Sequence, residues 1–175
     1  MAAKKILIHP NNILRSKSEP VKHFDDELTE LAHQMVDTIE SYSSEYEAGV
    51  ALAAPQIGIP KRVIVAKDDN EYIALVNPVI TRFSKEKIED LEGCMSVPKK
   101  YGMVTRPKNI RLKAKTLAGE EIKISAEGMM ARILQHEIDH LNGMLFIDYI
   151  EDKKELLILD KNGKLIKEGK AQNEV

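Results

Sequence analysis

The positions of apolar residues along the chain predict two helices. Residues 25–41 carry an apolar stripe at helical spacing with acidic residues in the first turn, which is typical of an N-terminal amphipathic helix. That stripe consists of Leu28, Leu31, Ala32, Met35 and Ile39. In residues 126–143, apolar residues surround two histidines and a glycine follows. This pattern predicts a second, largely buried helix that stops at Gly143.

Strand patterns account for much of the remaining chain. Residues 62–66 and 72–80 are rich in residues that favour strands and are separated by the polar segment "KDDN". In residues 109–125, apolar and polar positions alternate on both sides of "LAGE", which predicts an antiparallel hairpin with one face exposed to solvent. In residues 151–175, an Asn-Gly pair lies between two apolar runs and predicts a further hairpin. Strands outnumber helices and do not alternate regularly with them along the chain. We therefore predict an α+β fold with antiparallel sheets around a buried central helix.

Composition narrows the class of protein. With 175 residues, 43% apolar and 31% charged, the chain fits one globular domain over residues 1–175. A formal net charge of -2 gives no global basic field for a nucleic acid. No apolar run has the length of a membrane span, and the first residues lack the apolar core of a secretory signal. A single cysteine, Cys94, excludes an intramolecular disulfide framework. We therefore expect a cytoplasmic protein without a nucleic-acid site or a membrane partner.

The second helix contains the segment "HEIDH", which is a candidate metal site. His136 and His140 are four residues apart, so both imidazoles lie on one helix face and can reach one metal ion. Glu137 can then contact a metal-bound water. The alternative is a surface helix on which polar residues fall at this spacing by chance, and the apolar neighbours disfavour it.

A hydrolytic metal usually keeps three protein ligands, so a third ligand is required. The remaining histidines, His9, His23 and His33, are better interpreted as solvated or satisfied surface residues. Cys94 follows Gly93 in the turn-forming segment "LEGCMSVP" and would give a Cys/His/His site with one open position. A lone cysteine is more often a small buried hydrophobe, and the spacing alone leaves this choice open.

Three separated segments resemble the motifs of the peptide deformylases. They are "GVALAAPQ" at 49–56, "EGCMS" at 92–96 and "QHEIDH" at 135–140, and their order also matches. The similarity runs from about Ile6 to Tyr149. The resemblance implies a metal-dependent hydrolase that removes the formyl group from N-formylmethionyl nascent polypeptides and releases formate. It leaves open whether the protein also contacts the ribosome.

The resemblance also implies which residues do the chemistry. Cys94, His136 and His140 would bind the metal, with Fe²⁺ expected in the cell and Zn²⁺ or Ni²⁺ accepted as purified. Glu137 would act as general base and then as general acid. The side-chain amide of Gln56 and the backbone N–H of Met95 would stabilise the oxyanion. From the residues alone, Gln56 would be interpreted as a turn residue and Met95 as part of the core.

Further positions of the chain match the family's substrate site and its surroundings. Those for the substrate are Val50, Ala51, Gly93, Met129 and Ile133, with Arg132 nearer the mouth. Apolar residues at these positions would equally suit a helix core. Asp139 and Arg106 match a pair that lies behind the site and orients the ligands. Alternatively, Arg106 is a solvated charge before Pro107.

The sequence also departs from the family pattern. Ala51 replaces the second glycine of the first motif, and its methyl group is harmful only if the backbone there needs a glycine conformation or the peptide comes very close. Lys100 and Tyr101 stand where some members have an arginine that meets the peptide, and 151–175 is a variable C-terminal extension that lacks the long helix of other members. Two alternatives remain: a catalytically weak deformylase-like binding module, and an H-E-x-x-H zinc endopeptidase, which would not explain "EGCMS". A purely structural metal site is disfavoured, because such sites usually have four protein ligands.

Overall fold

The computed structural model describes residues 2–42, 49–160 and 164–168. These residues include the α-helices α1 (Asp26–Ser41) and α2 (Gly128–Leu141). The strands of the first half are β1 (Ala51–Ala53), β2 (Val63–Asp68), β3 (Glu71–Phe83) and β4 (Lys87–Gly93). Those of the second half are β5 (Lys100–Pro107), β6 (Asn109–Lys115), β7 (Glu121–Glu127), β8 (Leu157–Leu159) and β9 (Leu165–Lys167).

The strands form two antiparallel sheets. One has five strands in the order β1-β2-β3-β6-β7, and the other has four in the order β4-β5-β8-β9. The predicted α+β class with antiparallel sheets is confirmed. Strand β8 (Leu157–Leu159) is antiparallel to β9 (Leu165–Lys167). The Asn162-Gly163 dipeptide that suggested a hairpin here lies outside the described residues.

Helix α1 begins where the acidic segment supplies a cap. The Asp25 side chain accepts a hydrogen bond from the backbone N–H of Leu28 at 3.1 Å, and Asp26 and Glu27 lie in the first turn. Both features favour a helix start. The apolar stripe of α1 is buried and belongs to a core cluster with Leu52, Val63, Val65 and Met95. This helix therefore fixes the position of β1, which contributes to the site.

Helix α2 packs against the inner face of the five-stranded sheet. Leu134, Ile138 and Leu141 are buried with Ile64 and Leu112 in one apolar cluster. The helix ends at Leu141, and just beyond it Gly143 adopts a left-handed φ of 76° and donates its N–H to the His140 carbonyl at 3.1 Å. A Cβ at Gly143 would lie 2.6 Å from the Arg15 carbonyl oxygen, so the turn after the helix requires glycine.

Strands β4 and β5 were not predicted from the sequence. β4 reads "KIEDLEG", its first three residues are exposed and only Glu92 is buried, so its pattern resembles a charged loop. It is nevertheless paired with β5 along its whole length, from Lys87 opposite Pro107 to Gly93 opposite Tyr101. The ladder carries Glu92 and Gly93 toward α2. None of the helices in the described residues is long and apolar enough to span a membrane.

Candidate metal centre and active site

Helix α2 and the end of β4 bring three potential ligands together. His136 and His140 lie one turn apart on α2, with ring centroids 4.9 Å apart and planes at 75°. Cys94 directly follows β4, and its Sγ lies 3.3 Å from His140 Nε2. The donor atoms of the three residues all lie within 4.8 Å of one another. Within the described parts of the chain, no other group of His, Cys, Asp or Glu donors is this compact.

Glu92 fixes the orientation of the His136 ring. Its Oε2 lies 3.0 Å from His136 Nδ1. An ionised carboxylate can only accept a hydrogen bond, so Nδ1 carries a proton and donates to Glu92, and Nε2 is the ring nitrogen that is left to face the metal centre. Such a hydrogen bond is the usual partner of a histidine that binds a metal through its other nitrogen.

Two arginines hold Glu92 in its ionised form. Arg106 donates from Nε to Oε1 at 2.6 Å and from Nη2 to Oε2 at 2.9 Å, and Arg132 Nη1 donates to Oε1 at 2.6 Å. Burial alone would raise the pKa of Glu92 strongly. The hydrogen bonds from His136 and Arg106 and their charges outweigh burial and lower the pKa to about 2. Arg106 also donates from Nη1 to Asp139 Oδ2 at 2.8 Å, so it is a buried, paired charge rather than a solvated one.

Glu137 differs from Glu92 in having no such partners. The residue is 5% exposed, and its Oε2 makes no hydrogen bond with the described residues. Burial raises the pKa of Glu137 to about 7, and the charges of Asp139 and Glu92 add to this effect. An unpartnered carboxylate oxygen in a buried position is costly unless something else uses it. Together with the compact Cys/His/His donor set, it fits a site built around a metal ion and its water.

Gln56 presents its amide nitrogen to the same place. Its Oε1 accepts a hydrogen bond from the Ala53 backbone N–H at 2.8 Å, which fixes the orientation of the amide. Nε2 then points toward Ser96 Oγ at 3.2 Å and Cys94 Sγ at 3.7 Å. The residue is 1% exposed and lies in a 3₁₀ turn directly after β1. The structure thus brings Gln56 next to the three potential ligands.

Cys94 and His136 line a cavity of about 270 Å³ between β1, β4 and α2. The substrate-site residues predicted from the sequence all line this cavity; they are Val50, Ala51, Gly93, Met129, Arg132 and Ile133. Gln56, Met95 and Glu137 line it as well. Val50 and Met129 are 46% and 60% exposed and lie at its rim. Arg132 was expected nearer the mouth, but it is buried, and its guanidinium also donates to the carbonyls of Val104 and Ile88. It is therefore part of the cavity wall.

The backbone at Ala51 is that of an ordinary strand. Ala51 opens β1 and pairs with Ala66. Among the described non-glycine residues, a left-handed φ occurs only at Asp69, Asn77 and Lys99. Alanine at this position therefore causes no backbone strain. Since β1 is an edge strand of its sheet, it also has one unpaired side.

Comparison with known proteins identifies the family. The model of the polypeptide deformylase family matches residues 3–156. The chain belongs to the polypeptide deformylase family. A peptide deformylase of Natranaerobius thermophilus is 47% identical over 154 residues, which cover 87% of this chain and 95% of that protein.

Solved structures of polypeptide deformylases share the fold. A peptide deformylase from Legionella pneumophila superimposes with a TM-score of 0.80 at 41% identity, covering 86% of this chain and 87% of that one. A class I type b peptide deformylase from Acinetobacter baumannii, solved with Met-Ala-Ser bound, gives a TM-score of 0.78 at 34% identity. That match covers 85% of this chain and 99% of the Acinetobacter chain. The predicted resemblance to this family is confirmed.

Sequence reasoning did not assign a role to Glu92 or Ser96. Glu92 lies inside the "EGCMS" motif, but a carboxylate on a charged strand gives no sign that it is buried. The only available signal was its place two residues before the candidate ligand Cys94. Ser96 lies two residues after that ligand and is 0% exposed, which a serine in a turn segment does not suggest.

Proposed function

We propose that the protein is a peptide deformylase that hydrolyses the formyl amide of N-formylmethionyl nascent chains and releases formate. The observation that carries this proposal is the Cys94/His136/His140 group, with Cys94 and His140 buried and His136 half-buried, beside the unpartnered carboxylate oxygen of Glu137. A zinc endopeptidase would share the two histidines and the glutamate. It would not require a cysteine brought from a separate strand to within 3.3 Å of His140.

Cys94, His136 and His140 would hold one divalent ion. A thiolate and two imidazoles suit several first-row metals, and we propose Fe²⁺ in the cell, with Zn²⁺ or Ni²⁺ in the purified protein. When bound, the ion would supply Lewis-acid activation of the formyl oxygen and lower the pKa of water. Glu92 supports this role, because its hydrogen bond occupies His136 Nδ1 and leaves Nε2 as the nitrogen that would bind the ion.

Glu137 would transfer the proton. Its pKa of about 7 lets the group accept a proton and release it near neutral pH. It would take a proton from the water as the water oxygen bonds to the formyl carbon. It would then deliver this proton to the nitrogen of methionine as the carbon–nitrogen bond breaks. Formic acid and a free α-amino group result, and transfer of the acid's proton to the amine gives formate and an ammonium group.

The formyl oxygen gains negative charge during the attack and needs hydrogen-bond donors. Gln56 fits this role, because the Ala53 N–H holds its Oε1 and leaves Nε2 directed toward Cys94. We propose the backbone N–H of Met95 as the second donor. Donors that are fixed before the reaction cost no reorganisation when charge develops.

The substrate peptide would run along β1. Ala51 opens the edge strand β1 beside the cavity and Val50 directly precedes it, so an extended peptide could add to this strand by backbone hydrogen bonds. The methionine side chain would pack against Met129 and Ile133. Gly93 would leave space beside the ligands, and Arg132 would support the wall by holding Glu92.

The proposed substrate sets the biological context. Nascent chains are made in the cytoplasm, which is where we place the protein, close to the ribosome. We also propose that residues 1–175 form a single domain. The β8–β9 hairpin would then be an extension, since the family match ends at residue 156, before β8 begins.

A direct assay tests this function. Metal-replete protein is incubated with formyl-Met-Ala, with acetyl-Met-Ala, and with a blocked peptide that offers only internal bonds. We expect release of formate and free amine from the first substrate alone. Glu137→Gln, loaded with the same amount of metal, serves as the inactive control. Cleavage of internal bonds, or no turnover of formyl-Met-Ala, would contradict the proposal.

A further inference from the structure

A chain of polar contacts runs from the metal centre to the opposite side of α2, and the proposed reaction does not use its outer end. His136 Nδ1 donates to Glu92, and both oxygens of Glu92 accept from Arg106. Arg106 Nη1 donates to Asp139 Oδ2 at 2.8 Å. The hydroxyl of Tyr149 donates to the same Asp139 oxygen at 3.0 Å. The chain therefore connects a candidate metal ligand with an aromatic residue at the surface.

Tyr149 covers the charged part of this chain. Its ring lies against the Arg106 guanidinium, 4.8 Å from the guanidinium carbon to the ring centroid, which is within the range of a cation–π interaction. Tyr149 is 42% exposed, whereas the side chains of Asp139 and Arg106 are 15% and 4% exposed. Tyr149 thus lies between solvent and the ion pair of Arg106 and Asp139, in which Arg106 holds Glu92. Water that reached Arg106 would compete for its hydrogen bonds to Glu92.

Tyr149 cannot act on the substrate directly. It lines a second cavity of about 420 Å³, beside Gln135, Ile138 and Asp139 of α2. The cavity at the metal centre lies along another face of α2, which carries Arg132, Ile133, His136 and Glu137. Any influence on the reaction must therefore pass through the contacts described above.

The element that carries Tyr149 also supports His136 on a second side. The 3₁₀ turn Phe146–Tyr149 begins with Phe146, whose ring stacks on His136 at 6.4 Å between centroids and 19° between planes. Lys153 Nζ donates to the carbonyls of Ile147 and Ile150 and so fixes the end of this turn. The turn therefore places one aromatic ring on the candidate ligand and another on Arg106.

We propose that Tyr149 is a positioning residue for His136. By holding Asp139 and covering Arg106, it keeps Arg106 bonded to both oxygens of Glu92, and Glu92 in turn fixes the His136 ring. This inference rests on the proposed metal centre. It goes beyond the proposed reaction, because it assigns control of the ligand geometry to a surface residue on the other side of α2.

Zinc affinity tests the inference without using the hydrolytic reaction. Purified variants are titrated with Zn²⁺ against a competing chelator, and unfolding is followed separately. Loss of a residue that directly supports a metal ligand costs about 10- to 100-fold in affinity. Because Tyr149 acts through two intermediate residues, we expect Tyr149→Leu to weaken zinc binding by about 10-fold, the low end of that range. Tyr149→Phe keeps the ring over Arg106, and we expect a smaller loss of about 3-fold, below that range.

Two further variants separate positioning from a general structural effect. Tyr72→Leu removes a partly buried tyrosine of β3 that packs against the core cluster of α1 and contacts neither Tyr149 nor Arg106, and it should lower stability while leaving zinc affinity unchanged. Glu92→Gln breaks the connection, so adding Tyr149→Leu to it should weaken zinc binding no further. The inference is wrong if the losses of zinc affinity caused by Glu92→Gln and Tyr149→Leu add in the double variant. It is also wrong if Tyr149→Leu and Tyr149→Phe both bind zinc as tightly as the wild type. Should Tyr149→Leu fail to fold, Tyr149→Phe and its combination with Glu92→Gln decide the question.

Kinetics give a second readout that distinguishes this inference from the proposed function. With matched metal content, Tyr149→Leu should lower kcat on formyl-Met-Ala and leave KM unchanged, because the substrate cavity is not altered. An inactive wild type that still binds zinc tightly would refute the proposed function. It would leave the zinc titrations as an independent test of Tyr149.

Discussion

Replacing Glu92 by glutamine should remove a large part of the stability of the metal-free protein. The carboxylate lies between Arg106, Arg132 and His136, and its side chain is 4% exposed. Glutamine has nearly the same shape and corresponds electrically to protonated Glu92. The cost can therefore be estimated from the pKa shift, which runs from 4.5 to about 2. A shift of about 2.5 units at 1.36 kcal/mol per unit corresponds to roughly 3 kcal/mol.

An independent argument gives a similar magnitude. Removing one partner of a buried ion pair typically costs about 3–5 kcal/mol, because the remaining charge stays buried without compensation. In Glu92→Gln, two guanidinium groups would remain, and only Arg106 keeps a second carboxylate partner, Asp139. The amide oxygen can still accept one hydrogen bond, so the lower end of this range is expected.

The assay is urea unfolding of chelator-treated protein over a series of pH values. Because the pKa of Glu92 is lower in the folded protein, its contribution is fully present above pH 4.5 and disappears as the pH falls toward about 2. The free energies of unfolding of wild type and Glu92→Gln should differ by roughly 3 kcal/mol at pH 7, and the difference should shrink as the pH falls through this range. Glu89→Gln, on an exposed position of the same strand, is the matched control and should change stability by less than about 0.5 kcal/mol. The reasoning would be refuted if wild type and Glu92→Gln differed in free energy of unfolding by less than about 1 kcal/mol at pH 7, or if their difference stayed unchanged down to about pH 3.

Three further substitutions test individual parts of the site. Cys94→Ala should lose most of its metal on dialysis, and one tight equivalent retained in elemental analysis would remove Cys94 from the site. Glu137→Gln should keep both metal and fold but lose turnover by at least roughly 10²-fold, so a near-normal rate at full occupancy would contradict its role as base. Ala51→Gly should change KM for formyl-Met-Ala-Ser more than kcat, because Ala51 has ordinary strand geometry and only its backbone would meet the peptide. An inert wild type that regains turnover through Ala51→Gly would instead favour a binding module.

The helices and the hairpin of the five-stranded sheet follow from local patterns in the sequence. Residues 25–41 were predicted as a helix, and α1 covers Asp26–Ser41. The hairpin predicted over 109–125 corresponds to β6 and β7, which extend to Glu127. In these elements most apolar positions face a core, so the periodicity of burial is visible in the residue types.

The second sheet could not be predicted in this way. The first three residues of β4 are exposed and only Glu92 is buried, so its strand structure depends on pairing with β5 rather than on an apolar face. The same limit applies to Arg106, whose partner Glu92 is 14 residues away and whose partner Asp139 is 33 residues away. A buried and paired arginine and a solvated one look identical in the sequence. Only the resemblance to a family suggested that Arg106 and Asp139 meet.

The position of the site explains why it depends on such long-range charge pairs. The described residues form three apolar clusters, and the site lies where they meet: Met95 belongs to the first, Ala51 and Leu134 to the second, and Cys94 to the third. Polar groups cannot lie inside a single apolar core without partners, but a boundary between cores can bury them if they bond to one another. Glu92 does this by accepting from residues of β5 and α2 at once. The ligand geometry is therefore held by directional bonds between elements, and conservative changes to these charges should disturb the site more than changes of apolar volume within any one cluster.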